Sequence, residues 1–317
     1  MTAAQGIRIA NAPVSYGVFG DLTVEGVSPA ELLHTMAAAG YQGSELGPPG
    51  FFGGLDDLQE AFAASGLAAV GAYVPLHTQG PDEVLARDLA RMELTLTELL
   101  AVNPAGVVIL ADEGNDTLLA NPCHRPELGL DDDGWSRLVR VVEGAVRRIE
   151  EVGLAPSFHP HIATFIEQPA EIQRLLDSTS VPLTYDVGHV VLAGGDAVGS
   201  WRSWRDRVNH VHLKDARLGV LGEAIASGRD DFDTWWARLC TPLGAGDIAL
   251  TEFTEALIAD GFTGWAVVEQ DRAPLTAAEV ERVVADQAAN YAWASRRLGL
   301  PPEPPIVNHA NPKERHR

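Results

Sequence analysis

The segment NHVHLKD, residues 209–215, collects two imidazoles, an ammonium group and two carboxamide or carboxylate side chains in one short stretch. Its polar residues His210, His212 and Lys214 alternate with Val211 and Leu213, the period-2 pattern of a strand with one polar and one apolar face. Imidazoles bind metal ions and transfer protons near neutral pH. The pattern therefore indicates chemistry rather than packing alone.

Similar groups follow three other apolar runs. The FHPH segment holds His159 and His161, YDVGH holds Asp186 and His189, and VVEQDR holds Glu269. In a parallel barrel, side chains at the carboxyl ends of the strands meet at one rim. A mixed carboxylate–imidazole set suits a divalent ion such as Mn²⁺, Co²⁺ or Zn²⁺. The remaining histidines and Lys214 would then support the ligands or contact substrate.

Each of these residues also has an ordinary structural interpretation. A single strand histidine is commonly a hydrogen-bonded core residue, an aspartate at a strand end commonly caps a turn, and Glu269 could pair with Arg272. His77, in AYVPLHT, could line the same rim, whereas His124 is interpreted as a loop residue. The metal hypothesis depends on the joint occurrence of Asp186, His212 and Glu269 at three successive strand ends.

The elements that must position these groups form a regular series. Strands are predicted over 7–13, 41–46, 67–75, 106–110, 154–160, 181–186, 208–213 and 265–270, and helices over 28–39, 54–65, 81–102, 132–152, 168–178, 196–206, 249–260 and 276–297. Ser28-Pro29 is a helix-start signal, and Gly40 is one of several glycines that end a helix just before a strand.

This alternation predicts an α/β fold, a single-domain (β/α)₈ TIM barrel over residues 1–300. A doubly wound open sheet is the competing fold. No GxGxxG motif follows the first predicted strand, which disfavours a dinucleotide-binding version of it.

Two segments fall outside this regular series. Residues 216–248 form a long insertion after the seventh strand, and its part 230–240 has a helical pattern with Phe232, Trp235, Trp236 and Leu239 on one side. We expect the insertion to cover the barrel mouth or to lie at an oligomer interface. Residues 301–317 form a Pro-rich, polar C-terminal tail.

Composition limits the classes of function. The 317 residues carry a formal net charge of −21, which disfavours DNA or RNA as a partner. Two cysteines, Cys123 and Cys240, provide no disulfide framework. No secretion signal is recognisable, and no apolar run reaches the ~18 residues of a membrane span. We expect a cytoplasmic, homo-oligomeric protein that acts on a small molecule and binds neither nucleic acid nor membrane.

The segments VNHVHLKDAR, YDVGH and WAVVEQDR resemble the sugar isomerase/epimerase superfamily with its xylose isomerase-like TIM barrel, and within it inosose dehydratase and its relatives. The resemblance extends from NAPVSYGVFG and GYQGSELGPPG to VVEQDR, and it includes FHPH, the insertion after KDAR and the PLGAGDI stretch. The superfamily motifs are specific. They do not distinguish among the isomerases, epimerases and dehydratases that share the metal site.

The resemblance implies a metal held by a glutamate of strand 5, the aspartate of strand 6, the second histidine of strand 7 and the glutamate of strand 8. Asp186, His212 and Glu269 match three of these positions. Strand 5 lacks the expected glutamate, and we rank Glu167 first and His161 second as the fourth ligand. Glu167 would also suit the first turn of a helix.

The chemistry that the resemblance implies is enediolate chemistry on a ketone and its adjacent hydroxyl, assisted by a divalent metal, Mn²⁺ or Co²⁺ first and Mg²⁺ or Zn²⁺ as alternatives. The candidate acid/base groups are His161, His159, Glu269 and Lys214, and the candidate substrate-binding groups are His189, Arg217 and His77. The leading hypothesis is a lyase that dehydrates a keto-polyol such as scyllo-inosose.

Three other functions remain open. An isomerase or epimerase would use the same site, and a non-catalytic relative would only bind a polyol. An endonuclease IV-like nuclease shares the barrel, but the acidic charge and the absence of a three-metal motif argue against it. A phosphorylated substrate would need an anion site, for which Gly244–Asp247 (GAGD) is a candidate that fits a turn better.

Overall fold

A computed structural model of the chain describes residues 6–18, 27–122, 126–227, 232–272 and 276–300. Cys123, His124, the side chain of Phe232 and the tail 301–317 lie outside this description.

Eight parallel strands form a closed barrel in the order β1-β8-β7-β6-β5-β4-β3-β2. They are β1 Ile7–Asn11, β2 Gly43–Leu46, β3 Ala68–Leu76, β4 Val107–Asp112, β5 Ala155–Phe158, β6 Leu183–Asp186, β7 Val208–Leu213 and β8 Gly264–Val268. The first and last strands close the ring in register, with Ile9 opposite Ala266. The predicted TIM barrel is therefore confirmed, and the open sheet is excluded.

Within the described ranges, eight helices surround the barrel, one after each strand. They are α1 Pro29–Ala39, α2 Leu55–Ser65, α3 Asp82–Val102, α4 Asp132–Glu151, α5 Pro169–Ser178, α6 Ala197–Trp204, α7 Leu250–Ala259 and α8 Val280–Arg297. Short helical segments, Pro13–Tyr16, Asp116–Leu119, Pro126–Leu128, Val187–Leu192 and Arg205–Arg207, lie in the connections. None of the helices in the described ranges has the length and apolarity needed to cross a membrane.

The helices pack on the barrel through apolar stripes at helical spacing. In α4 the buried residues include Trp135, Leu138, Val142, Ala145 and Ile149, which are three or four positions apart and so share one face. The opposite face carries charged residues. Helix α1 begins at a capping box, in which the Glu31 amide donates to Ser28 Oγ and the Ser28 amide donates to Glu31 Oε2.

The strands change from apolar to polar at their carboxyl ends. Every residue of β4 is buried, as expected for a parallel strand that is covered by helices outside and by the barrel core inside. The run Val107–Ala111 is apolar, and the strand ends at Asp112. Strand β6 likewise ends at Asp186. This change places the polar groups of several strands at one end of the barrel.

The described part of the insertion contains helices Leu218–Ala226 and Phe232–Leu239, and a two-residue antiparallel pair between Asp215–Ala216 and Cys240–Thr241. The C-terminal end of the insertion is held by the Asp215 carboxylate. This carboxylate accepts hydrogen bonds from the amides of Gly244, Gly246 and Ile248 at 2.8, 3.0 and 3.2 Å. A Cβ on Gly246 would overlap that carboxylate. Two amides of the GAGD segment thus already hold an anionic side chain, the arrangement of a turn.

Candidate active site

Four buried side chains meet at the carboxyl end of the barrel. His159 directly follows β5, Asp186 ends β6, His212 lies on β7, and Glu269 directly follows β8. One potential ligand atom from each of the four lies within 4.8 Å of the others. The His212 Nδ1 to Glu269 Oε2 distance is 3.1 Å, and the His159 Nε2 to Asp186 Oδ2 distance is 3.5 Å.

The atoms that face one another in this group lack hydrogen bonds. His159 Nε2, Asp186 Oδ2 and His212 Nδ1 are buried without a hydrogen bond of acceptable geometry, although Asp186 Oδ2 lies 3.2 Å from the Lys214 ammonium and His212 Nδ1 lies 3.1 Å from Glu269 Oε2. A buried polar atom without a partner costs about 1–3 kcal/mol, so three of them converging on one point need a compensating ligand. Two imidazole nitrogens and two carboxylates suit a divalent cation of intermediate hardness. The residues present therefore fit a divalent metal.

Asp186 is oriented by the short helix that follows it. Its Oδ1 accepts from the amides of Gly188 and His189 at 2.8 and 3.1 Å, as an N-cap, and this leaves Oδ2 directed at the cluster. Burial alone would raise the pKa of Asp186, but the nearby charge of Lys214 holds it well below its usual value. The carboxylate is therefore ionised and available to a cation.

Glu45, at the end of β2, orients the two histidines of β7. His210 Nε2 and His212 Nε2 contact Glu45 Oε1 at 2.8 and 3.0 Å, and His212 Nδ1 is thereby directed toward Asp186 and Glu269. A carboxylate behind a metal-binding imidazole fixes its ring orientation and raises its basicity. Glu45 is not among the residues expected from the sequence, although a carboxylate in the buried strand GSEL is a usable signal. His210 lies deeper in the barrel than His212 and contacts the same Glu45 oxygen.

Lys214 supplies a buried positive charge to the cluster. Its Nζ lies 3.2 Å from Asp186 Oδ2, 3.1 Å from Glu269 Oε2 and 3.0 Å from Asp271 Oδ2. Burial alone would lower the pKa of Lys214, but these carboxylates raise it well above its usual value. A Cβ on Gly188 would come within 2.9 Å of the Lys214 stem, so a glycine leaves room for this side chain.

His161 and His189 form an aromatic wall with Trp236 of the insertion. The two imidazole centroids are 3.9 Å apart, and Trp236 lies 5.5 and 5.9 Å from them. His161 Nδ1 lies 2.7 Å from the carbonyl oxygen of Ile162, so Nδ1 carries the proton and Nε2 remains an acceptor. Burial, followed by the charges of His159 and Lys214, lowers the pKa of His161 to about 3.

Glu167, the first candidate for the strand-5 ligand, is not one of the four clustered residues. Its carboxylate instead accepts from the Ala163 amide within the loop that follows β5. Ala163 adopts a φ of 67°, and the loop turns Glu167 back onto its own backbone. His161, ranked second, belongs to the aromatic wall. The structure brings His159 to the position where the resemblance implied a glutamate.

Two predicted substrate contacts lie farther from the cluster. Arg217 is exposed, directly before the first helix of the insertion. His77 follows β3 at the rim, where its Nδ1 lies 2.8 Å from Asp88 Oδ2 and its side chain is 38% exposed. Neither residue belongs to a group of potential metal ligands in the described part of the chain.

A second polar pair, Tyr73 and Glu113, lies beside the cluster and was not singled out from the sequence. The Tyr73 hydroxyl donates to Glu113 Oε1 at 2.9 Å, and the Tyr73 ring stands edge-on to the His159 ring at 6.2 Å between centroids. Burial raises the pKa of Glu113 to about 7. The pair therefore extends from Glu113, which follows β4 at the rim, to the ring of the clustered residue His159.

Comparison with known proteins is consistent with this architecture. An inosose dehydratase of Bacillus velezensis is 27% identical over 257 residues, which cover 79% of this chain and 84% of that protein. The rhizopine catabolism protein MocC of Rhizobium meliloti is 30% identical over 277 residues, covering 84% and 82%. A solved structure of IolI protein with a bound zinc atom has the same fold, with a TM-score of 0.67, 14% identity and coverage of 92% and 97%.

The profile of the xylose isomerase-like TIM barrels matches residues 33–292, which is most of the chain. Because this match covers most of the chain and the structure is a closed eight-strand barrel, the chain belongs to the family of xylose isomerase-like TIM barrels.

Proposed function

We propose that the protein is a metal-dependent lyase that removes water from a keto-polyol such as scyllo-inosose. The observation that carries the proposal is the convergence of His159, Asp186, His212 and Glu269, with unpartnered buried atoms facing one another. The similarity to inosose dehydratases supports a dehydration over the other reactions of comparable sites.

A divalent ion bound by the four residues, Mn²⁺ or Co²⁺ in the first instance, would polarise the substrate ketone and stabilise the negative charge that develops when the α-proton leaves. His161 would accept that proton at Nε2, because its Nδ1 proton is directed to Ile162 and its lowered pKa keeps the ring neutral at pH 7. His189 would contact a substrate hydroxyl, Lys214 would hold the carboxylates of the site through its three ion pairs, and Trp236 would exclude water from one side of the site.

The test of this function is product analysis. Protein reconstituted with Mn²⁺ or Co²⁺ is incubated with scyllo-inosose and a panel of ketoses, and the products are identified by NMR and mass spectrometry. A product lighter by one water supports the lyase. A product of equal mass would show an isomerase or epimerase instead, and binding without turnover would show a non-catalytic relative.

Removal of the metal is expected to lower both activity and thermal stability. An ion that binds only the folded protein stabilises it by about 2.7 kcal/mol when its free concentration is 100 times its Kd. Thermal unfolding before and after dialysis against a chelator, with elemental analysis of both samples, measures this effect. Unchanged unfolding temperature and unchanged activity after complete removal would contradict the metal hypothesis.

Replacing Glu45 by glutamine is expected to weaken metal binding by about 10–100-fold, the usual effect of losing a group that supports a ligand. Glutamine keeps the size of the side chain but removes the charge that orients His212. Metal titrations monitored by calorimetry measure the change. The matched control is Glu93→Gln, which alters a carboxylate paired with Arg148 on the outer helices and should leave the affinity unchanged.

A further inference from the structure

The Tyr73–Glu113 pair has no part in holding the metal, yet it lies at the barrel mouth. We propose that the Tyr73 hydroxyl donates a proton to the departing β-hydroxyl of the substrate and that Glu113 replaces this proton on Tyr73. This inference rests on the proposed dehydration. It makes Tyr73 a catalytic residue and Glu113 a positioning and proton-supplying residue that acts through it.

The direction of the Tyr73 side chain follows from the strand it occupies. A Cβ on Gly71 would lie 3.7 Å from Glu45 Oε1, so this face of β3 looks into the barrel. Tyr73 is two residues further toward the carboxyl end, and side chains two apart on a strand share a face. Its ring reaches the edge of the His159 ring, and its hydroxyl reaches Glu113. The hydroxyl therefore lies between the rim and the clustered ligands.

The other donors beside the cluster are already committed. The Lys214 ammonium contacts the carboxylates of Asp186, Glu269 and Asp271. The proton on His161 Nδ1 is directed to the backbone carbonyl of Ile162. Hydroxide is a poor leaving group without a proton, so the elimination needs a further donor on the substrate side of the site. In the structure the Tyr73 hydroxyl donates to Glu113 Oε1. When Glu113 is protonated, it can donate to the Tyr73 oxygen instead, and the Tyr73 proton is then available to the substrate.

The surroundings of Glu113 favour its protonated form. Its pKa is raised to about 7, with burial as the largest influence and the neighbouring carboxylates of Asp112 and Asp88 acting in the same direction. The Tyr73 hydroxyl and His77 act in the opposite direction. A carboxyl group with a pKa near 7 both gives up and regains a proton at neutral pH, as proton transfer in each turnover requires.

The step balances without any oxidant or reductant. The base takes the α-proton of the substrate, and the carbon–oxygen bond at the β-carbon breaks with its electron pair on oxygen. That oxygen takes the Tyr73 proton and leaves as water, while the Glu113 proton moves to Tyr73. The base then releases the α-proton to solvent, and the Glu113 carboxylate is reprotonated from solvent near the partly exposed His77.

The experiment compares two rates in the metal-loaded enzyme. Wild type, Tyr73→Phe and Glu113→Gln are incubated with scyllo-inosose in D₂O. NMR measures deuterium at the α-carbon of the recovered substrate, and mass spectrometry measures the dehydrated product. Tyr41→Phe is the matched control, because the Tyr41 hydroxyl donates to the Gln287 backbone carbonyl, away from the proposed donor. Metal content and unfolding temperature are recorded for every variant.

Tyr73→Phe is expected to keep α-proton exchange within about threefold of wild type while dehydration falls by about 10²–10⁴-fold, the usual effect of a positioned proton donor. Dehydration by wild type should decline as the pH rises through about 7, because Glu113 must be protonated to supply the proton. This decline should disappear in Glu113→Gln, with metal content and exchange retained. Tyr41→Phe should match wild type in both rates.

Two results would overturn the inference, and they are distinguishable. If wild type dehydrates the substrate but exchange and dehydration fall by equal factors in Tyr73→Phe with metal retained, Tyr73 is not the donor and the proposed function stands. If metal-loaded wild type yields no lighter product from any substrate of the panel, the proposed function fails and the donor role fails with it.

Discussion

An alanine at position 212 is expected to leave the protein without its metal and without measurable turnover. His212 is the central residue of the cluster, since its Nδ1 faces Asp186 and Glu269 while its Nε2 contacts Glu45. The substitution removes one ligand and leaves three buried carboxylates with less compensating charge. Elemental analysis and product formation by NMR measure the two losses together.

Two further variants make this test specific. His212→Gln keeps most of the side-chain volume, so it reports on the ligand even if the alanine variant folds poorly. His34→Ala changes an exposed histidine on α1 and should retain both metal and turnover. A His212→Ala protein that binds metal and turns over normally would refute the assignment of β7 as a metal-binding strand.

The second large effect is expected at position 159. His159→Ala should weaken metal binding by more than about 100-fold, because the loss of a merely supporting group already costs about 10–100-fold. Glu167→Gln should keep the metal, because the Glu167 carboxylate is engaged with the Ala163 amide. His161→Ala should also keep it, but with a reaction slowed by about 10²–10⁴-fold through loss of the proton acceptor.

Metal content of the three purified variants, measured beside their rates, decides among these residues. A metal-free Glu167→Gln together with a fully loaded His159→Ala would restore the ligand order that the sequence favoured. A metal-free His161→Ala would place the aromatic wall, rather than His159, in the metal site.

Much of the fold was predictable because its signals are local. Apolar runs of strand length alternate with helical stripes, and Gly40, which has a φ of 105°, ends α1 where the pattern predicted. The strand-end positions of Asp186, His212 and Glu269 were predictable for the same reason, since a side chain at a strand end is placed by the strand itself.

The missed features depend on contacts between distant parts of the chain. Glu45 meets His212 across 167 positions, and Tyr73 meets Glu113 across 40, so neither pair follows from local spacing. The assignment on strand 5 depended on the path of the loop after His159. The turn at Ala163 directs Glu167 onto that loop, and a positive φ at an alanine has no clear signal in sequence.

The two halves of the barrel contribute different functional groups, and the contact of Glu45 with β7 connects them. All four clustered residues come from β5 to β8, whereas Glu45, Tyr73 and Glu113 come from β2 to β4 and the segment after them. The second half-barrel would thus hold the ion, and the first would tune it and supply protons. Substitutions at Tyr73 and Glu113 would change proton transfer while the four clustered residues of the second half preserved metal binding. Such a separation gives one scaffold a route to new activities by stepwise divergence.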